Sequence, residues 1–196
     1  MCSGLPSEAH GQDDITIRII EEPYRQPNAF LVPYFEGLLG RNLTVDGQAI
    51  EGNQIGLGIG TMSTRRANVL FRSNIAWRQV SVPEDPDSKF GTFEIHLGAQ
   101  LHPLRPTLAI GNTAVRATCG ALGGMGMFTD GPTTATVEAN CGFSFSSGND
   151  PGGIIVQMVW RPMEEIFGRY EDDTARVFAH AGGWSLRLGF LVAPGG

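Results

Sequence analysis

Short apolar runs of period two, separated by glycine, constrain this chain more than any other feature. Glycine supplies 27 of its 196 residues, about twice the usual share of roughly 7%. Most of these glycines stand between alternating runs rather than inside helical patterns. Glycine reaches backbone conformations closed to other residues, so such spacing marks turns, bulges and close strand contacts. The expectation is an all-β chain.

Individual runs carry that reading. Ile15, Ile17 and Ile19 alternate with Thr16 and Arg18, and Leu43-Thr44-Val45 and Gln48-Ala49-Ile50 flank an Asp46-Gly47 pair that suits a two-residue hairpin turn. Phe93, Ile95 and Leu97 share one face of a strand whose other face carries Thr92, Glu94 and His96. Trp184, Leu186, Leu188 and Phe190 alternate strictly with Ser185, Arg187 and Gly189, and their apolar face is expected deep in a core. Ile154 to Trp160 is apolar on both faces, as in the central strand of a sandwich.

Two stretches depart from simple alternation. In Gln54 to Gly60, glycine alternates with Ile55, Leu57 and Ile59, leaving a face of bare backbone on which something should pack closely. Cys119 to Met127, with Gly120, Gly123, Gly124 and Gly126, reads as a loop, too rich in glycine for a helix interior. These glycines are the expected interaction surface. Pro162 to Tyr170 reads as the one helix: proline suits the first turn, Glu164 and Glu165 lie near the positive end, and Ile166, Phe167 and Tyr170 share a face.

About eight to ten short strands without a βαβ rhythm fit a two-sheet antiparallel sandwich, most simply a single jelly roll with one short peripheral helix. Residues 1–14 form a polar arm, 15–192 a single β-sandwich domain, and 193–196 a tail. No Cys, Trp, Cys set marks an immunoglobulin-like sandwich.

A net charge of -6 argues against nucleic acid as the main partner, because phosphate neutralisation needs clustered bases. Lys89 is the only lysine among 14 basic residues, and arginine suits planar, bidentate contacts at interfaces; codon bias explains the imbalance equally well. The start, MCSGLPSEAH, has neither a basic region nor an apolar stretch, so no secretory signal is expected. No run of some 18 apolar residues is present for a helical membrane span, and no membrane partner is expected. The three cysteines, Cys2, Cys119 and Cys141, give no framework of bridges; Cys119 and Cys141 pair only if their strands adjoin, and buried free thiols are the expectation.

Residues placed to do chemistry are sparse. Glu94, His96 and His102 supply two imidazoles and a carboxylate, the set of a facial metal triad, but the spacing differs from the His-x-His pattern of cupins and a solvated strand face is the default. Asn149-Asp150 and Tyr170-Glu171-Asp172-Asp173 offer oxygen ligands of the kind calcium takes, yet such runs are commonly solvated turns. Gly56, Gly58 and Gly60 match a phosphate loop only in part. Ser185 lacks a nucleophile-elbow context, and Arg65-Arg66 and the Asn42-Leu43-Thr44 sequon carry little. No catalytic, cofactor or metal residue is assigned.

The expectation is a non-enzymatic, self-assembling structural protein without a cofactor: a coat, spike or decoration component of a virus or phage particle, located in the virion, with itself and other structural proteins as partners. The alternatives are a lectin-like module in which Tyr24, Tyr34 and Trp77 stack on sugars, and a cupin-like metalloenzyme.

Overall fold

A computed structural model describes residues 17–18, 29–45, 48–63, 68–83, 85–103, 108–128, 131–147, 152–169 and 176–193. These form β1 (Ile17–Arg18), β2 (Ala29–Val45), β3 (Gln48–Glu51), β4 (Asn53–Ser63), β5 (Val69–Val82), β6 (Asp85–Leu101), β7 (Leu108–Ile110), β8 (Thr113–Met127), β9 (Thr133–Ser147), β10 (Gly153–Arg169) and β11 (Arg176–Leu191). All belong to one antiparallel sheet. The all-β expectation holds; the sandwich does not.

The sheet closes on itself. Starting at β2, the wall runs β4, β5, β6, β8, β9, β10 and β11, and β11 returns to β2 through Leu188↔Phe35 and its neighbours. The β8–β9 ladder runs from Thr113↔Ser147 to Met127↔Thr133 and removes the edges that two sheets of a sandwich would keep. The result is a closed eight-strand barrel. Short β3 continues the wall beside β2, and β1 and β7 extend the β8 edge near the end that holds both ends of the described chain.

Several local readings change with the architecture. The stretch read as a helix, Pro162 to Tyr170, lies in β10 as far as Arg169; a bulge between Arg161 and Glu164 takes up its proline. The stretch read as a loop, Cys119 to Met127, is the second half of β8, because packing in a narrow barrel asks for small residues where propensity asks for none. The Asp46-Gly47 turn itself lies outside the described residues, as do the 1–14 arm, Arg65-Arg66, Tyr24 and both acidic runs; the flanking β2 and β3 do pair, Val45 opposite Gln48. A turn not singled out, Gly111-Asn112, joins β7 to β8, with Gly111 at φ 56°.

The glycines expected to form an interaction surface lie instead in the wall, and several leave room for lumen side chains. A Cβ on Gly58 would run into the Tyr34 ring, one on Gly60 into the Asn74 amide, and one on Gly120 into the Gln100 amide. Gly123 faces outward with nothing near it. Gly58→Val is expected to cost about 1–3 kcal/mol through overpacking, while Gly123→Ala stays within about 0.5 kcal/mol. Urea unfolding midpoints of the refolded chain measure both.

Candidate functional site

Alternation along each wall strand sends one residue into the lumen and the next outward. The outward set is apolar: Leu57 on β4, Phe71 and Trp77 on β5, Leu97 on β6, Phe143 on β9, and Leu186 and Phe190 on β11 are all exposed, Phe71 to 56%. On β5, β6, β9 and β11 this apolar face spans windows such as Val69–Trp77 and Val137–Phe145, close to the roughly 9–11 residues of a tilted membrane-crossing strand. All three tryptophans, Trp77, Trp160 and Trp184, stand at the same margin of the belt. Beyond it, toward the end opposite the chain ends, the outward residues turn polar, with Gln79 and Ser81 on β5, Glu165 on β10 and His180 on β11.

The inward set is layered. Near the chain ends, Phe30, Val32, Met62, Leu70, Ile155 and Leu191 form an apolar cluster. At the other end, where β6 and β10 zip together through Phe90↔Gly168, a second cluster gathers Val80, Val82, Phe90, Phe128, Ile166, Ala179 and Ala181. Between them the lumen is charged.

Four charges form its centre. Arg187 donates to Glu36 Oε2 from Nη2 at 2.7 Å and to Glu138 Oε1 and Oε2 at 2.8 and 2.7 Å. Arg161 pairs with Glu36 and donates to Glu138 Oε2 at 2.9 Å. Ser185 and Gln54 add donors to Glu36 at 2.6 and 3.0 Å, and the Arg187 guanidinium lies 4.4 Å over the Tyr34 ring. Two guanidiniums against two carboxylates balance, and planar forks suit this geometry better than ammonium groups would.

A second, amide-rich group lies beside the quartet. Arg72 on β5 donates to Gln100 at 2.8 Å and, across the lumen, to Gln157 on β10 at 2.9 Å. Gln100 and Gln157 both donate to Thr118 Oγ1, and Gln157 also donates to Asn140. These are chords of the barrel, and they fill it.

The residues raised from sequence fall into this lumen only in part. Glu94 and His96 are neighbours on β6, with Nε2 to Oε2 at 3.9 Å; Glu94 pairs with Arg78, and His96 Nε2 meets Thr136 Oγ1 at 2.8 Å. His102 is elsewhere, 3.0 Å from Ser144 Oγ and tilted against Phe30. Among the described residues no three His, Cys, Asp or Glu gather as a metal site. The face expected to be solvated is buried, Glu94 to 0% exposure, because it looks into the lumen. Tyr34 also looks inward, and Trp77 belongs to the outer belt, so neither is a sugar platform.

Cys119 and Cys141 sit opposite each other on β8 and β9, on the outer face, and are joined as a disulfide. Buried free thiols were the expectation; the strand pairing and the outward register overturn it. Sequence reasoning missed Glu36, Arg72, Glu138, Arg161 and Arg187 as a set. The available signal was their repeated place opposite apolar residues on alternating strands.

A closed barrel with an apolar exterior and a charged interior inverts the distribution of a water-soluble protein, and is the pattern that membrane β-barrels have. No protein-family model matches the chain, and no curated protein sequence matches it. Among solved structures it is similar to the outer membrane protein OprG from Pseudomonas aeruginosa, with a TM-score of 0.53 and 11% identity over 86% of this chain and 96% of that one. It is similar also to the outer membrane protein AlkL, solved in DMPC lipid bilayers, with a TM-score of 0.53 and 12% identity over 100% of this chain and 99% of that one. The fold is that of outer-membrane barrels. The expectations of a virion component, of self-assembly into a particle, of a lectin or cupin, and of no membrane partner are all overturned by this likeness and by the outer belt.

Removing one carboxylate from the quartet leaves a guanidinium buried without its partner. Glu138→Gln is therefore expected to cost about 3–5 kcal/mol. A double-mutant cycle of Glu138→Gln with Arg187→Gln, read by urea unfolding, is expected to show strong coupling.

Proposed function

We propose that this chain is a non-enzymatic integral β-barrel of a bacterial outer membrane, with a closed lumen, serving as a membrane-seated scaffold for the strands that rise beyond the belt. The carrying observation is the outer belt: exposed leucine, isoleucine, phenylalanine and tryptophan on every second residue of the wall, backed by arginine, glutamate and glutamine on the residues between. Water would penalise that exterior, and lipid would penalise the reverse register. The aromatic margin suits the headgroup level, where amphipathic rings are favoured. Strands β6, β10 and β11 continue past the belt at the end away from the chain ends, and that end is read as the outside-facing one.

The closed lumen is supported by burial rather than by any single bond. Each wall strand contributes an inward side chain with no exposure, among them Met62, Arg72, Gln100, Thr118, Glu138 and Arg187. A continuous water path would touch them. Eight strands give a bore that side chains can fill, and here the Arg72 to Gln157 chord crosses it. Among the described residues, then, the barrel is a plug rather than a pore.

Two measurements test the reading. The chain is expected to refold into phosphatidylcholine vesicles, to migrate differently before and after boiling, and to show no steady conductance in planar bilayers. Leu57→Arg on the lipid face is expected to destabilise the vesicle-bound fold by about 2–4 kcal/mol. A chain that folds as a soluble monomer without lipid or detergent overturns the proposal.

A further inference from the structure

The geometry points to a binding site for one halide-sized inorganic anion inside the lumen, between the Arg72 guanidinium and the Asn74 amide. The buried charged side chains among the described residues are five arginines, Arg72, Arg78, Arg116, Arg161 and Arg187, against three glutamates, Glu36, Glu94 and Glu138. Arg161 and Arg187 are balanced by Glu36 and Glu138, and Arg78 by Glu94. Arg72 has no carboxylate among its hydrogen-bond partners. Guanidinium does not shed its proton in proteins, and a buried cation without a counter-charge is costly.

Local bonding places the missing charge at Arg72. Its side chain is fully buried, and its acceptors are the neutral amides of Asn74, Gln100 and Gln157 at 3.1, 2.8 and 2.9 Å. Two buried donors there have no acceptor: Arg72 Nη2 and Asn74 Nδ2. They belong together, because Nη2 shares an edge of the guanidinium with Nε, and Nε already donates to Asn74 Oδ1. That bond also fixes which end of the Asn74 amide carries the nitrogen. A ligand serving both donors must be an acceptor; one that also offsets the charge must be an anion. Burial of both donors favours the smallest inorganic anions, of halide size, and chloride is the abundant anion of that class. The charge of Arg72 then has a counter-ion rather than an unmet cost.

The inference rests on the closed barrel and its lumen, not on membrane insertion, so it is tested in detergent. A failure to enter vesicles, which bears on the membrane reading, leaves this result separately legible. In the full chain folded in nonionic detergent, bromide is raised at constant ionic strength against gluconate. Each tenfold rise beyond half-saturation is expected to raise the unfolding temperature by about 3 to 5 °C. Asn74→Asp places a carboxylate beside Arg72 and is expected to abolish that dependence while leaving the barrel folded; Arg72→Gln is expected to abolish it as well. Crystals grown in bromide are expected to show an anomalous peak within hydrogen-bond reach of Arg72 Nη2 and Asn74 Nδ2. A wild-type chain indifferent to bromide, a dependence that survives in Asn74→Asp, or a water at that position overturns the site.

Discussion

Closure of the sheet is the constraint on which everything else in this molecule depends. Once β8 pairs with β9 and β11 with β2, the wall forms a ring, and through most of the belt backbone donors and acceptors pair between neighbouring strands. A closed wall can then be surrounded by hydrocarbon without stranding polar backbone. Closure also sets the bore. Eight strands enclose a space that their own inward side chains fill, so the identity of every second residue is decided by what fits across a narrow lumen. Gly58 beneath the Tyr34 ring and Gly60 beside Asn74 are consequences of that width.

Within so narrow a bore, polar groups have no solvent to turn to. The wall excludes water at Arg187 and Glu138, and each guanidinium and carboxylate must be satisfied by the others. Such pairs contribute little net stability over an apolar filling, but breaking one is costly. The bias toward arginine acquires a physical reason here. Arg187 reaches Glu36 and Glu138 through one planar group, a task for which an ammonium has the wrong shape. The single lysine, Lys89, is exposed and lies on β6 beyond the belt. The bidentate contact to which arginine is suited is made here inside the barrel.

How much was legible follows from what alternation can and cannot say. A period of two identifies strands, and Trp184 to Phe190, Phe93 to Leu97 and Ile75 to Val82 are strands. It does not say which face is buried. In water the apolar face goes inside, and on that premise Trp184 and Phe190 belonged in a core; they are among the exposed residues. The misplaced helix and loop share another cause. The helical spacing of Ile166, Phe167 and Tyr170 and the glycines of 119–127 express local propensity, which tertiary packing overrides readily in strands. The lumen network was the least visible part, since Glu36, Glu138 and Arg187 lie far apart in sequence and only the barrel brings them together.

The same reversal explains why the register of this wall is firmly set. A slip of one residue in any strand exchanges its two faces. In a soluble sandwich that exchange exposes apolar groups to water, a graded penalty. Here a slip of β11 would turn Arg187 and Ser185 toward the surroundings and drive Trp184, Leu186 and Leu188 into a bore with no room for them. An arginine on the lipid face costs about 2–4 kcal/mol at the midplane, and the glutamates left behind would lose their partners as well. Toward both ends of the bore the inward residues are apolar, Phe90, Phe128 and Ile166 at one and Phe30, Met62 and Ile155 at the other, so charge marks register at the middle of the wall, and ordinary core packing marks it at the two ends. The quartet therefore acts less as a source of stability than as a mark that lets each strand find its place.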